Sequence, residues 1–349
     1  MYSVFVRRGN IIHLGPDVVC DGSPTKTFKS ASYGVRVQTH IHADHMCEWE
    51  SSLFRNVFMT PVTKKLILAE QTGSSEGHRS NLKDIPFYMK FKPEGTVSEI
   101  ELMNSGHMLG ACMVSVSCAG KKYLYTSDFS WPLPPDALNR LADTRHDVLV
   151  IDATYGNPLL SRRNYTQEDV KKALLSIVSE SVAAGTVKIV GHRGRLQRAY
   201  QMIEGEFGHK GIDFYGSPAF DKTVAVYHQH FGMAGKAYRG VDDTSSPIQA
   251  NKLVFIDTRD QSALENISSH TTIIRLLETR SQSSLVAATD SGFQISMTDH
   301  ADFGGTIQMI KHVNPRAGVI TNGRYRSELA KFIREYLGIE ACCAVMPTI

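Results

Sequence analysis

The sequence predicts a layered α/β protein with a second α/β block inserted into the first. Three observations lead to that reading. Short β-rich runs alternate with helical patterns along the 349 residues, as they do in layered α/β folds. Near Asn157 the pattern shifts to repeated strand–helix units, and after Asp290 it shifts back. A cluster of histidine and aspartate directly follows an early strand, which marks a site built at a strand end. The expected boundaries are 1–157 for the first part of the core, 158–290 for the insertion and 291–349 for the return of the core. Insertions of this kind are tolerated because chain ends of a domain usually lie close together.

The elements follow in order. Val35 to Thr39 reads as a strand entering the His-rich loop, and a helix is expected from Thr60 with Pro61 in its first turn. Three strands, EIELMNS, CMVSVSCA and KYLYTSD, occupy Glu99 to Asp128. CMVSVSC alternates as a half-buried strand should. Asp147 to Asp152 is mostly apolar, which suits burial on both faces. In the inserted block, Thr166 is placed to cap a helix whose apolar face carries Val170, Leu174, Ile177, Val178 and Val182, with Gly185 as its stop. TVKIVGH, KLVFIDTR and TTIIRLL read as strands, RLQRAYQMIEGEF as a helix, and FYGSPAFDKTVAVYHQHF as a strand running into a helix. FQISMT is expected to open the returning core. A helix capped by Asp302, the strand AGVITN and the helix RSELAKFIREYLG follow it.

Composition narrows the class. A content of 42% hydrophobic and 21% charged residues is that of an ordinary globular chain. The net charge of +3 permits a nucleic-acid partner without arguing for one. No segment approaches the ~18 apolar residues of a membrane span, and the first residues lack the apolar core of a signal peptide. The six cysteines form no C-x-x-C pair. Their spacing suggests reduced thiols and a cytoplasmic protein.

The chemistry is concentrated in His40-Ile41-His42-Ala43-Asp44-His45, an H-x-H-x-D-H run. Imidazole and carboxylate suit Zn²⁺, and Mn²⁺ less selectively. Alternate residues of an extended chain face one side, so His40 and His42 can share an ion while Asp44 and His45 reach a second. Two ions ~3.5–4 Å apart form a clamp for phosphodiester hydrolysis. His107 and Asp128 each close a later strand in the same half of the chain and are the natural further ligands.

With Asp21, which ends the apolar run from Asp17, these residues resemble the metallo-β-lactamase superfamily. The resemblance implies an αββα sandwich with two Zn²⁺. It puts His40, His42 and His107 on the first ion, Asp44 and His45 on the second, Asp128 between them, and Asp21 behind the ligands as an orienting group. Further segments resemble the β-CASP branch, which includes Artemis-like nucleases and mRNA 3′-end-processing enzymes: Asp152 in VIDATYG, His300 in TDHAD, and the GHRGRLQ and YGSP turns of the inserted block. That block then corresponds to a β-CASP cap. The resemblance makes the chain a nuclease in which Asp44, Asp152 and His300 serve catalysis. His300 is the expected general acid, oriented by Asp152, with a rival role as ligand of the second ion. Arg193 and Arg195, at a helix start, are candidates to hold phosphate.

Asn322 departs from the pattern. RNA-cutting members of the branch carry His at this position and DNA-cutting members Val. A carboxamide is a poorer zinc ligand, so the second site is expected to be weaker or to take Mn²⁺, whether or not Asn322 contacts the ion. This tilts the expectation toward exonuclease-like DNA end processing, with RNA processing as the alternative. The expected partner is DNA or RNA, single-stranded or at an end, with a homodimer or a processing complex both open. A small-molecule hydrolase is disfavoured by the size of the insertion. A non-catalytic nucleic-acid-binding subunit is disfavoured by the full set of ligands.

Overall fold

The computed structural model describes residues 4–6, 10–23, 34–53, 55–70, 79–160, 163–231, 238–241, 251–260, 271–278 and 284–344. The chain divides into two compact units. One comprises Met1–Arg162 with Asp299–Ile349, and the other Arg163–Thr298.

In the first unit, two sheets are seen among the described residues. The six-stranded sheet runs in the order Val4–Val6, Ile12–Leu14, Val18–Cys20, Val35–Val37, Val57–Met59, Leu82–Asp84. The seven-stranded sheet runs Ala341–Cys343, Gly318–Asn322, Val148–Asp152, Lys121–Tyr125, Cys112–Cys118, Glu99–Asn104, Lys90–Phe91. Their inner faces share one core: Leu14, Val18 and Val37 from one sheet pack with Ile100, Val114, Val116 and Val150 from the other. The outer face of the second sheet is covered by helices Pro135–Ala142, Phe303–Val313 and Arg326–Phe332 through Leu141, Met309, Ile310 and Leu329. This is the αββα layering.

Val148–Asp152 is fully flanked, as its apolar run predicts. It pairs in parallel with Lys121–Tyr125 on one side and with Gly318–Asn322 on the other. That second pairing sets Asp152 opposite Asn322. Parallel strands align their ends, so the groups that close these strands gather on one rim of the sheet.

The second unit has its own seven-stranded sheet, ordered Tyr238–Val241, Asp213–Gly216, Lys252–Asp257, Thr186–Gly191, Thr271–Leu277, Gly292–Ser296, Val286–Thr289. Helices Gln167–Val182, Arg195–Phe207 and Pro218–Phe231 bury Leu174, Tyr200 and Phe220 against it. Thr166 caps the first of these helices in a reciprocal box with Asp169. That helix ends at Val182, ahead of the stop expected at Gly185.

The expected end of the insertion is corrected here. The strand in FQISMT, Gly292–Ser296, does not open the returning core. It pairs in parallel with Thr271–Leu277 inside the second unit. Gly292 allows that pairing: at φ +145° a Cβ would lie 2.3 Å from the Ile273 carbonyl oxygen. The unit therefore runs to Thr298 and starts at Arg163, against an expected span of 158–290.

Candidate metal centre

The H-x-H-x-D-H run leaves the strand Val35–Val37 and is tied down from behind. Asp21, itself at φ 58°, receives the Thr39 backbone N–H at 2.9 Å on Oδ1. Its Oδ2 receives the His45 Nδ1–H at 2.7 Å. His45 is thereby fixed with Nε2 facing the site. Thr39 Oγ1 lies 3.1 Å from His40 Nδ1, which turns His40 Nε2 inward.

Ligand atoms converge in two groups that share one carboxylate. His40, His42, His107 and Asp128 offer atoms all within 4.8 Å of one another, and so do Asp128, Asp152 and His300. His42 Nδ1 and His107 Nε2 are 3.1 Å apart. Asp128 Oδ2 stands 3.5 Å from His40 Nε2, 3.6 Å from His107 Nε2 and 3.7 Å from His300 Nε2. His40 Nε2 is buried and has no hydrogen-bond partner among the described residues. Burial, with His45 and His42 alongside, holds the His40 imidazole well below its ordinary range. Burial pushes His107 down to about 3, against the pull of Asp128. Burial alone would raise the Asp128 carboxyl, yet His45, His300 and His107 draw it well below the carboxylate range. Neutral imidazoles at His40 and His107 beside an ionised carboxylate are the state a metal needs in its ligands, while His45 is held well above its ordinary range by Asp128 and Asp21 against the effect of burial. The residues present therefore fit a metal, and the orphaned His40 nitrogen is the clearest sign of it.

His300 and Asp152 both belong to the first unit and flank the insertion in sequence. His300 Nδ1–H donates to Asp152 Oδ2 at 2.9 Å. Asp152 Oδ1 accepts from Thr154 N at 2.8 Å and Thr154 Oγ1 at 2.7 Å. With both oxygens engaged, Asp152 is held as a fixed support for His300, whose Nε2 looks toward Asp128.

Asp44 belongs to neither ligand group. Its side chain is 69% exposed and lies 3.8 Å from His45 Nε2. His45 Nε2 is 3.3 Å from Asp128 Oδ1. Between Asp44 and His45 stands a residue that sequence reasoning missed, Asn10. Its Nδ2 is 3.0 Å from Asp44 Oδ2 and 2.8 Å from His45 Nε2. Asn322 reaches the site through it, with Nδ2 donating to Asn10 Oδ1 at 3.2 Å.

Arg36 was also missed. It is fully buried and gathers the far side of the ligand loop. Nη1 donates to Cys47 O and Ser52 Oγ, each at 2.7 Å. Nη2 donates to His45 O at 3.2 Å, and Nε to Gln38 Oε1 at 2.9 Å. Its guanidinium lies 5.1 Å from the Trp49 ring centroid. A charged residue between Val35 and Val37 in an apolar strand was the available signal.

Arg193 and Arg195 flank the start of helix Arg195–Phe207 as expected, but that start is largely self-satisfied. The Gly194 N–H donates to Gln197 Oε1 at 2.7 Å. Arg195 Nη1 donates to Leu276 O at 3.4 Å, and Arg193 is only 9% exposed. Asp302 caps the helix Phe303–Val313 by accepting from Gly305 N at 2.8 Å. Among the described residues no helix is long and apolar enough to cross a membrane.

No family model matches the chain. The sequence is 24% identical over 242 residues to the cleavage and polyadenylation specificity factor subunit 3 of Dictyostelium discoideum, covering 60% of this chain and 30% of that protein. It is 25% identical over 253 residues to the endoribonuclease ysh1 of Schizosaccharomyces pombe, covering 63% and 32% respectively. The chain thus spans about a third of the length of these curated relatives. A solved structure, a protein of unknown function from Enterococcus faecalis, superposes with a TM-score of 0.68 over 99% of this chain and 97% of that one. At 10% identity that likeness speaks to the fold alone.

Two expectations are corrected by these matches. The cytoplasmic placement is overturned, because the matched cleavage and polyadenylation factors are nuclear mRNA-processing enzymes. Reduced cysteines are as usual in the nucleus as in the cytosol, so the thiols never separated the two. The lean toward DNA, drawn from Asn322, also gives way, since one of these relatives is named an endoribonuclease.

Proposed function

The chain belongs to the β-CASP branch of the metallo-β-lactamase superfamily, and from that premise we propose that it is a zinc-dependent hydrolase that cleaves phosphodiester bonds of RNA. The observation that carries the proposal is the pair of ligand groups hinged on Asp128. The first group would hold an ion, and the second, sharing Asp128, either supplies the proton donor or holds a second ion. The names of the relatives support RNA as the polymer.

His40, His42, His107 and Asp128 would hold the first ion. Metal bound here supplies Lewis acidity and a nucleophile available at neutral pH. The chain's own residues do the rest. Asp21 and Thr39 keep His45 and His40 in one orientation, so the ligand set is preformed. Asp152 accepts the His300 Nδ1–H and fixes the ring's orientation. Nε2–H of His300 is then placed to give a proton to the departing ribose oxygen. A second reading has one specific support: His300 Nε2 is close enough to Asp128 to share an ion with it, which would make His300 a ligand.

The test is cleavage of end-labelled single-stranded RNA and matched DNA, with Zn²⁺ or Mn²⁺, by wild type and by His42→Ala. Metal-dependent cutting of RNA by wild type, lost in His42→Ala with the fold intact, is the expected result. Equal cutting by the variant would refute the metal centre. Cutting of DNA alone would refute the polymer.

A further inference from the structure

We propose that Thr126 is a positioning residue whose hydroxyl holds the His300–Asp152 pair in register with the carboxylate of Asp128; the proposal rests on the phosphodiesterase reading above. Thr126 directly follows the strand Lys121–Tyr125 and is fully buried. Its hydroxyl works as donor and acceptor at once. Oγ1 donates to the Ser127 carbonyl at 2.7 Å and accepts the Asp152 backbone N–H at 3.1 Å. One oxygen thus grips the peptide that leads into Asp128 and the residue that supports His300.

The backbone explains why a side chain does this. The Thr126 N–H extends the parallel ladder to Val150 O at 3.0 Å. The chain then turns out of the sheet at Ser127, which sits at φ 50° in the left-handed region. The pairing of the two main chains ends there, and the threonine hydroxyl serves the next N–H, that of Asp152. On its other flank Asp152 faces Asn322, and the Ala153 N–H donates to the Asn322 carbonyl at 2.6 Å. The strand end is therefore held by main chain on one side and by the Thr126 side chain on the other.

Ser127 has a second anchor. Its Oγ donates to Thr39 Oγ1 at 2.8 Å, and Thr39 Oγ1 donates to Asp21 Oδ2 at 2.9 Å. That anchor keeps Asp128 in place without help from Thr126, so removal of the Thr126 hydroxyl falls on the Asp152 side. The links form a ring that runs from Asp128 through Ser127, Thr126, Asp152 and His300. It closes across the 3.7 Å between His300 Nε2 and Asp128 Oδ2. The chemistry depends on that gap, whether His300 gives a proton or shares an ion. A buried N–H stripped of its acceptor is costly, and the Asp152 strand end would shift to serve it, carrying His300 along.

The experiment measures zinc-dependent cleavage of single-stranded RNA by wild type, Thr126→Val, Thr126→Ser, His300→Ala and the double variant Thr126→Val/His300→Ala. Zinc affinity is read against a competing chelator, hydrogen exchange is followed at the Asp152 amide, and circular dichroism checks the fold. Thr126→Ala is carried alongside, so that a valine that disturbs folding does not end the test. Thr126→Val should slow cleavage about 10- to 100-fold, speed exchange of the Asp152 amide and leave the tightest-bound zinc as in wild type. Thr126→Ser keeps the hydroxyl and should recover most of the loss. In the His300→Ala background the valine should cost nothing more, because Thr126 acts through His300. A residue that only stabilised the fold would slow His300→Ala by the same factor again, and that result would overturn the proposal. An undiminished rate in Thr126→Val, or a zinc affinity that falls in step with the rate, would overturn it too. Each of these leaves the phosphodiesterase reading standing. Wild type that binds zinc and cuts no RNA would overturn that reading, and the role of Thr126 with it.

Discussion

Arg36→Met replaces the buried tie behind the ligand loop with a side chain of similar length and no donors. Gln38 Oε1 and Cys47 O accept hydrogen bonds from Arg36; both would lose this donor, the first fully buried and the second partly. His45 O keeps the Gln38 Nε2–H at 3.1 Å, and Ser52 Oγ still donates to Glu48 O at 2.9 Å. Two orphaned acceptors cost about 2–6 kcal/mol together. Loss of the Trp49 contact adds roughly 0.5–1 kcal/mol. An opposing term comes from the charge. Burial lowers the Arg36 guanidinium from its ordinary 12.5 to about 10, with Asp21 pulling it back up. That gap is worth about 3 kcal/mol, which the neutral side chain would not lose. The terms run from about −0.5 to 4 kcal/mol and centre on a destabilisation of about 2 kcal/mol. For a domain of this size that lowers Tm by about 2–10 °C in a circular-dichroism melt. The same substitution frees the Cys47 carbonyl and removes one of the two donors on His45 O, so zinc affinity measured against a competing chelator should fall about 10- to 100-fold. A variant that melts earlier yet holds zinc as tightly as wild type would show that Arg36 supports the fold and not the ligand loop. A variant unchanged in both would refute the reasoning outright.

Two other perturbations separate roles within the molecule. His300→Ala should slow cleavage of RNA by about 10²–10⁴-fold and spare a substrate with an activated leaving group such as p-nitrophenolate. Equal losses on both would assign His300 to the metal. His146→Gln concerns acid stability. His146 is buried, its Nε2 is 3.0 Å from Ser115 Oγ, and burial followed by Lys122 pushes it down to about 4. The unfolded ring takes a proton near 6.5. Stability is therefore complete above about pH 6.5 and is lost as pH falls toward 4, by roughly 3 kcal/mol in all. Urea midpoints at pH 7.5 and 5 should differ less in the variant than in wild type, and an equal difference would remove His146 as the cause.

The readable parts of this protein were those whose signal is local. H-x-H-x-D-H declares itself because its residues lie within one turn of chain. His107 and Asp128 were legible because each follows a recognisable strand. The helices of the inserted unit were legible from their apolar faces, and Arg195–Phe207 falls where its pattern puts it. Strands of three residues, such as Val57–Met59 and Leu82–Asp84, are too short to show an alternation. Gly292–Ser296 was placed in the wrong unit because its partner strand, and not its composition, decides where it belongs. Asn10 was invisible for the same reason at greater range. It is an ordinary asparagine whose meaning comes from Asn322, 312 positions away.

The same long spacing bears on how the chain is made. The unit from Arg163 to Thr298 is continuous in sequence, so it can fold as soon as it leaves the ribosome. The first unit cannot. Val148–Asp152 waits for Gly318–Asn322 as a sheet neighbour, and Asp152 waits for His300 across 148 positions. Until then the strand presents an unpaired edge of apolar backbone, a surface prone to mispairing. The inserted unit thus imposes a delay during synthesis. At the 5–20 residues per second typical of translation, its passage takes roughly 7–27 seconds. A nascent-chain pulse–chase with limited proteolysis should find the second unit protected before the first, and a metal centre completed only when the last strands arrive.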